Sequence, residues 1–146
     1  FMNKNHRDKI HKVNCLTNDL NSLYHQVALK FGMSDSAMFV LYMAYDKGGN
    51  CLLYDICNES GISKQTINSA VRKLENENII YLEKIGGKTK RVCLTDEGEK
   101  YAQKTVARLF LAECNAFEAW SEEETETYLK LMEKYNNSFR KQVDLL

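Results

Sequence analysis

The hydrophobic residues near the N-terminus recur with the period of an amphipathic helix. Apolar positions fall every three or four residues, at Ile10, Val13, Leu16, Leu20, Leu23, Val27 and Phe31. This spacing predicts a long helix over residues 6–31, which Gly32 ends. A second helix, with the body AMFVLYMAY, is predicted to begin at an N-cap, either Ser34 or Ser36, and to end at a Gly-Gly pair.

Residues 53–74, LYDICNESGISKQTINSAVRKL, predict two short helices joined by a tight turn. Gly61 breaks the first helix, and Ser63 caps the second because its hydroxyl can accept hydrogen bonds from unpaired N–H groups of the first turn. The buried stripe of the second helix is expected at Ile67, Val71 and Leu74. This arrangement, preceded by a short strand at Cys51 and Leu52, is typical of a helix-turn-helix.

The opposite face of the second helix carries hydrogen-bond donors and no acidic residue. Its residues, together with the capping serine, are Ser63, Lys64, Gln65, Thr66, Asn68, Ser69, Arg72 and Lys73. Amide and guanidinium groups suit base edges in the major groove, and hydroxyl and ammonium groups suit phosphates. A lone amphipathic helix with such a face is usually only solvated. The preceding helix and glycine turn favour DNA binding instead.

The segment IIYLEKIGGKTKRVCLT alternates in polarity around Gly86 and Gly87, a pattern that predicts a β-hairpin. Its tip and return strand carry three basic residues, Lys88, Lys90 and Arg91. A lysine at a hairpin tip usually serves solubility. Beside a helix-turn-helix, the same residues predict a wing that reaches the DNA backbone or the minor groove.

The rest of the chain is predicted to be helical. Thr95 caps one long helix through YAQKTVARLFLAECNAFEAW, buried on more than one side, and Ser121 with Glu124 forms a capping box for the last helix. The fold class is therefore mainly α with a small β-hairpin wing (α+β). Residues 34–98 form the winged helix-turn-helix region of a single chain, 1–146. The flanking helices, 6–31 and 99–142, have apolar sides that a twofold dimer would cover.

Charge is unevenly distributed along the 146 residues, although the formal net charge is zero. Residues 63–91 contain seven basic and three acidic residues, whereas residues 113–146 contain four basic and eight acidic residues. Segregation of this kind suggests one face for DNA and another for a different contact. The abundance of Asn and Lys is typical of an AT-rich bacterial genome.

Several classes of protein find no support in the sequence. No apolar run is long enough to span a membrane, and the polar start, FMNKNHRDK, predicts a cytoplasmic protein whose native chain begins at Met2. The five cysteines are Cys15, Cys51, Cys57, Cys93 and Cys114. They show no paired metal spacing and no disulfide framework, so most of them are expected to be small core residues. No phosphate loop or nucleophile elbow indicates an enzyme, and no cofactor or metal is expected.

Two stretches carry a resemblance to a known family. DICNESGISKQTINSAVRKLENENII and VCLTDEG, with long helices on either side, resemble the MarR (multiple antibiotic resistance regulator) family of winged-helix transcription factors, from about Ile10 to Phe139. The resemblance implies a homodimer that binds double-stranded DNA at a pseudo-palindromic operator, usually as a repressor released by a small aromatic or other ligand. By position, the residues that would face the major groove are Ser63, Lys64, Gln65, Thr66, Asn68, Ser69, Arg72 and Lys73.

The wing and the end of the second helix depart from the family pattern. Gly86 and Lys88 stand where the family usually has an Asp and an Arg, and the wing is about two residues shorter. Phosphate contact by Lys88, Lys90 or Arg91 is therefore expected in place of an inserted arginine. Asn78 stands where a glycine is common, and asparagine tolerates the left-handed conformation.

The sequence leaves the switching mechanism open. An effector cleft between the first, second and fifth helices would be lined by Tyr24, His25, Ala28, Met38, Phe39, Tyr42 and Tyr45, which suit a flat apolar ligand. The same residues would equally form a core or a dimer interface. Cys15 lies where peroxide-sensing relatives carry a reactive cysteine, so oxidation is a second possibility. The sequence also leaves open a different function, that of a winged-helix protein-interaction module without specific DNA binding.

Overall fold

The computed structural model describes residues 4–146, so the expected native start at Met2 lies outside the described residues. The elements are α1 Lys4–Lys30, α2 Asp35–Asp46, β1 Asn50–Leu52, α3 Leu53–Ser60, α4 Lys64–Asn76, β2 Ile80–Gly86, β3 Thr89–Leu94, α5 Asp96–Lys104, α6 Val106–Phe117 and α7 Glu122–Val143. Compact packing divides them into a first unit that ends at Leu109 and a second unit, Phe110–Leu146. The predicted hairpin, short strand and helices are present, except that the single helix predicted after Thr95 is divided into α5 and α6.

A small antiparallel sheet holds the first core of the first unit. Its strands lie in the order β1-β3-β2, so the return strand of the hairpin is central. Helices α2, α3 and α4 pack on one side of the sheet, where they bury Val40, Ile56, Ile67, Leu74 and Val92 completely or almost so. This core fixes the helix-turn-helix and the base of the hairpin as one body.

A second core in the same unit joins the long N-terminal helix to α2, α5 and the start of α6. Its buried residues are Ala28, Met38, Leu41, Ala102, Val106 and Leu109. Only the C-terminal end of α1 takes part, because the apolar residues from Ile10 to Leu23 remain exposed. The two cores use opposite sides of α2, which explains why the mean hydropathy of that helix is high.

The predicted single helix after Thr95 is wrong, because it breaks at Thr105. This residue has φ −124° and ψ −90°, and its hydroxyl donates to the Tyr101 carbonyl at 2.8 Å. A threonine that bonds back by four residues commonly bends a helix. The prediction of burial on more than one side was also wrong beyond Leu109, since Phe110 and Phe117 are exposed.

The second unit consists of the end of α6 and the helix α7. Ser121 and Glu124 form the predicted capping box at the start of α7. Trp120, in the connection, makes edge-to-face contacts with Phe117 and Tyr128, at centroid distances of 5.1 and 5.3 Å. No residue of α7 is buried.

Within the part of the chain that the structure describes, no single helix is long and apolar enough to cross a membrane. Helices α1 and α2 satisfy the length and composition requirements only as a pair bent by 86°.

Candidate nucleic-acid interface

Helix α4 is held rigidly by its apolar stripe and its N-terminal cap. Ile67, Val71 and Leu74 are at most 2% exposed, as the spacing predicts. The Ser63 hydroxyl accepts from the Thr66 backbone N–H at 3.2 Å, which satisfies one of the donors left unpaired at a helix start. Gly61 closes the preceding helix in the left-handed conformation, with φ 64°. The turn between α3 and α4 is therefore determined by the capping Ser63 and the left-handed Gly61.

The other side of α4 presents an uninterrupted row of donor side chains. The exposed members are Ser63, Lys64, Gln65, Thr66, Ser69, Arg72 and Lys73, whereas Asn68 is half-buried. The Ser69 hydroxyl donates to the Gln65 carbonyl at 3.0 Å, and Arg72 Nε lies 3.4 Å from the Asn68 carbonyl. Within residues 4–146, the two terminal nitrogens of the Arg72 guanidinium group have no hydrogen-bond partner.

The hairpin after α4 has a tight turn and an irregular register at its tip. Gly86 pairs with Thr89, so Gly87 and Lys88 alone form the turn, and the register shifts at Ile85 as in a β-bulge. Gly87 has φ 55°, a conformation that favours glycine. The two strands are therefore joined by a two-residue turn.

The three basic wing residues do not lie on one side of the hairpin. Lys90 pairs with Lys84 across the strands, and Arg91 pairs with Glu83 on the opposite face. Lys88 lies in the turn and is exposed, whereas Arg91 is half-buried. Lys84 was not among the predicted wing residues, although the alternation in the sequence already places it on the side of Lys90.

Two polar residues couple the end of α4 to the start of α5. Asn78 has φ 58° and takes the left-handed conformation expected for it. The Thr95 hydroxyl donates to the Asn78 carbonyl at 2.6 Å and accepts from the Gly98 N–H at 2.8 Å. The hairpin is therefore closed at its base by the same threonine that caps α5.

The proposed effector residues lie in three different environments. Met38 and Ala28 belong to the second core, with Tyr42 and Tyr45 packed against it, whereas Phe39 packs against the first core. Tyr24 and His25 are exposed, and His25 Nδ1 contacts Asp35 Oδ1 at 2.9 Å. The residues of the second core pack against one another, in agreement with the alternative that they form a core.

The cysteines divide into buried and exposed thiols. Cys51 and Cys93 are buried and Cys57 is half-buried, whereas Cys15 and Cys114 are exposed, so most of the cysteines are covered, as expected. Burial raises the pKa of the Cys51 and Cys93 thiols, and a hydrogen bond to Glu83 raises the pKa of Cys93 further. Cys15 Sγ lies 3.6 Å from His11 Nε2. Over residues 4–146, no three His, Cys, Asp or Glu side chains are placed to share a metal ion.

Together, a rigid donor-bearing helix, the preceding short helix and the adjacent hairpin define a winged helix-turn-helix protein. No protein-family model matches the sequence, and no curated protein matches it either. Solved structures show that the chain has the fold of MarR-family transcriptional regulators over nearly all of its length, as the resemblance implied.

The similarity to individual structures is strong in shape and weak in sequence. A MarR-family regulator from Neisseria meningitidis is 14% identical, with a TM-score of 0.84 over 98% of both chains. MepR from S. aureus, solved in complex with DNA, is 20% identical, with a TM-score of 0.67 over 88% of this chain and 96% of that one. BpsR from Bordetella bronchiseptica is 16% identical, with a TM-score of 0.63 over 86% of this chain and 98% of that one. The DNA binding of BpsR is regulated by 6-hydroxynicotinic acid.

Proposed function

We propose that the protein is a transcriptional regulator that binds double-stranded DNA through α4. The observation that carries this proposal is the exposed row of donors on a helix whose opposite side is fully buried. Lys64, Gln65 and Arg72 would reach base edges or phosphates, and Ser63, Thr66, Asn68, Ser69 and Lys73 complete the face. The fold shared with MepR, which was solved with DNA, supports the assignment.

The active form in this proposal is a homodimer. Each unit exposes apolar side chains on a long helix: Leu16 and Leu20 on α1, and Leu131 and Phe139 on α7. A second copy of the chain would remove this apolar surface from water. A twofold dimer would also place two recognition helices about 34 Å apart, which suits a pseudo-palindromic operator.

We further propose that the protein is a repressor and that a small ligand releases it from DNA. Regulation of BpsR by 6-hydroxynicotinic acid gives a precedent for this kind of control within the fold. In this chain, the aromatic and methionine side chains between α1 and α2, with the exposed His25 as a polar contact, would receive a flat ligand. Such a ligand would have to displace packing within the second core.

Oxidation is the second candidate switch, favoured by one contact. Cys15 is exposed and lies beside His11, so its thiol is accessible to an oxidant and has a neighbouring imidazole. Treatment with peroxide should then weaken DNA binding by the wild type, and a reductant should restore it. Cys15→Ala should be insensitive, and the equally exposed Cys114→Ala should respond like the wild type.

The proposed function is tested by selecting random duplexes with the purified protein under reducing conditions and sequencing those retained. A palindrome with half-sites about one helical turn apart supports a dimeric regulator. Arg72→Ala and Lys64→Ala should each weaken binding to the selected duplex at least tenfold, whereas Lys47→Ala, at the exposed cation that follows the C-terminus of α2, should not. Retention without any enriched sequence would contradict specific binding and favour a protein-interaction module.

A further inference from the structure

The wing carries two lysines directly opposite each other. Lys84 of β2 pairs with Lys90 of β3, and both side chains are exposed. Directly opposed residues of an antiparallel pair have Cβ atoms roughly 4.5–5.5 Å apart, and like charges in that position destabilise the hairpin. Among residues 4–146, neither ammonium group forms an ion pair. Anions that contact these two groups would remove this repulsion.

The two lysines continue the core-facing side of the hairpin. The preceding pair on that side is Leu82 with Val92, and both residues pack in or against the first core, to which α4 contributes its buried stripe. The core ends at this pair. The next side chains on the same side, those of Lys84 and Lys90, therefore leave the sheet next to the helix-turn-helix and enter solvent.

The opposite side of the hairpin is balanced in charge. Arg91 is directly opposite Glu83, and Glu83 Oε2 also lies 3.6 Å from Cys93 Sγ. Arg91 is half-buried, whereas the two lysines are exposed. A cation that faces a carboxylate and is partly covered is less available to phosphate than a cation without such a neighbour.

We propose that Lys84 and Lys90 together bind the phosphate backbone of duplex DNA and that Arg91 does not. This assignment rests on the proposed function, because it takes the duplex to lie against α4. Lysine binds phosphate as a point charge and carries no information about base sequence. The pair therefore strengthens binding to all duplexes, and the choice of operator is left to α4.

The test is the salt dependence of affinity, measured by fluorescence anisotropy for a selected duplex and for a scrambled one. Each neutralised phosphate contributes about 0.9 to the slope of log affinity against log salt. Lys84→Ala and Lys90→Ala should each lower the slope by about 0.9 on both duplexes. Over a rise from about 50 to 200 mM salt, the double variant should lose about 12-fold less affinity than the wild type. Arg91→Ala should leave the slope unchanged.

Controls separate this inference from the proposed function. Lys84→Arg with Lys90→Arg should restore the slope, and thermal unfolding of the alanine variants should show no loss of stability, since removing either charge relieves repulsion. An unchanged slope in the double variant, or a reduced slope in Arg91→Ala, would overturn the lysine pair while leaving specific binding intact. Equal affinity for the selected and scrambled duplexes would instead refute specific binding, and the slopes would still test the pair.

Discussion

Gly98 lies directly against the backbone carbonyl of Ile79, and a Cβ atom added to Gly98 would fall 1.8 Å from that oxygen. The Ile79 carbonyl already accepts from the Thr95 N–H at 3.1 Å, so the contact joins the base of the wing to the start of α5. Gly98→Ala must push these elements apart. We expect the free energy of unfolding to fall by about 3 kcal/mol, at the upper end of the cost of overpacking.

Urea denaturation of Gly98→Ala against Lys100→Ala measures this cost. Lys100 lies on the same helix, is exposed and takes part only in a weak ion pair with Glu97 at 3.5 Å, so its removal should change stability by less than about 0.5 kcal/mol. Equal stability of the two variants would mean that Gly98 does not approach Ile79 closely in solution.

Asn78 takes a backbone conformation that most side chains avoid. At φ 58°, a Cβ atom without a polar group costs about 1–2 kcal/mol, and glycine carries no such cost. Asn78→Ala should therefore destabilise the protein by about 1 kcal/mol, and Asn78→Gly should be neutral or slightly stabilising. Asn76→Ala, two residues earlier within α4, should be neutral or stabilising because alanine favours the helix. Urea denaturation measures these effects, and the unfolding midpoint of Asn78→Ala should be lower than the midpoints of Asn78→Gly and Asn76→Ala.

Local chemistry explains which parts of the fold were predictable from the sequence. The caps at Ser63 and Ser121 and the left-handed Asn78 each depend on residues within a few positions, and all were predicted correctly. The break at Thr105 was missed because a threonine within a helical pattern has two choices. Its hydroxyl can face solvent or bond back to Tyr101, and only the packing around it decides.

The candidate site was predictable in part for the same reason. The donor face of α4 follows from helical periodicity alone. The sides of the wing follow from the alternation and register of its strands, which proximity in the sequence does not reveal. Proximity groups Lys90 with Arg91, whereas alternation pairs Lys90 with Lys84. The position of the β-bulge at Ile85, which ends the regular register, could not be read from the sequence.

Stability should decline in alkaline solution because three buried or half-buried acids titrate late in the folded state. Burial raises the pKa of the Cys51, Cys93 and Tyr101 side chains. Above the ordinary thiol pKa of about 8.5, the unfolded chain releases protons that the folded chain still holds, so folding becomes less favourable as pH rises. Each group contributes a slope of at most about 1.4 kcal/mol per pH unit.

This pH dependence is tested by comparing variants of a buried cysteine and an exposed cysteine. The unfolding free energy, followed by urea denaturation from pH 7 to 10, should fall less steeply for Cys93→Ala than for the wild type, whatever its starting value. Cys114→Ala removes an exposed thiol and should keep the slope of the wild type. Parallel curves for all three proteins would show that Cys93 titrates normally in the folded state.

The exposed apolar stripe of α1 predicts that the chain dimerises through this helix. Leu20 is 44% exposed, belongs to neither core and lies in line with Leu16 and Leu23. Leu20→Glu should therefore leave the winged unit folded but place an unpaired carboxylate in the interface, and we expect a monomer at micromolar concentration in sedimentation velocity. Asn21→Glu introduces the same charge at the next, polar position and should remain dimeric.

Because one monomer binds only a half-site, Leu20→Glu should also lose affinity for a full palindrome while keeping its affinity for an isolated half-site. A wild-type monomer, or a dimer that tolerates Leu20→Glu, would place the interface elsewhere.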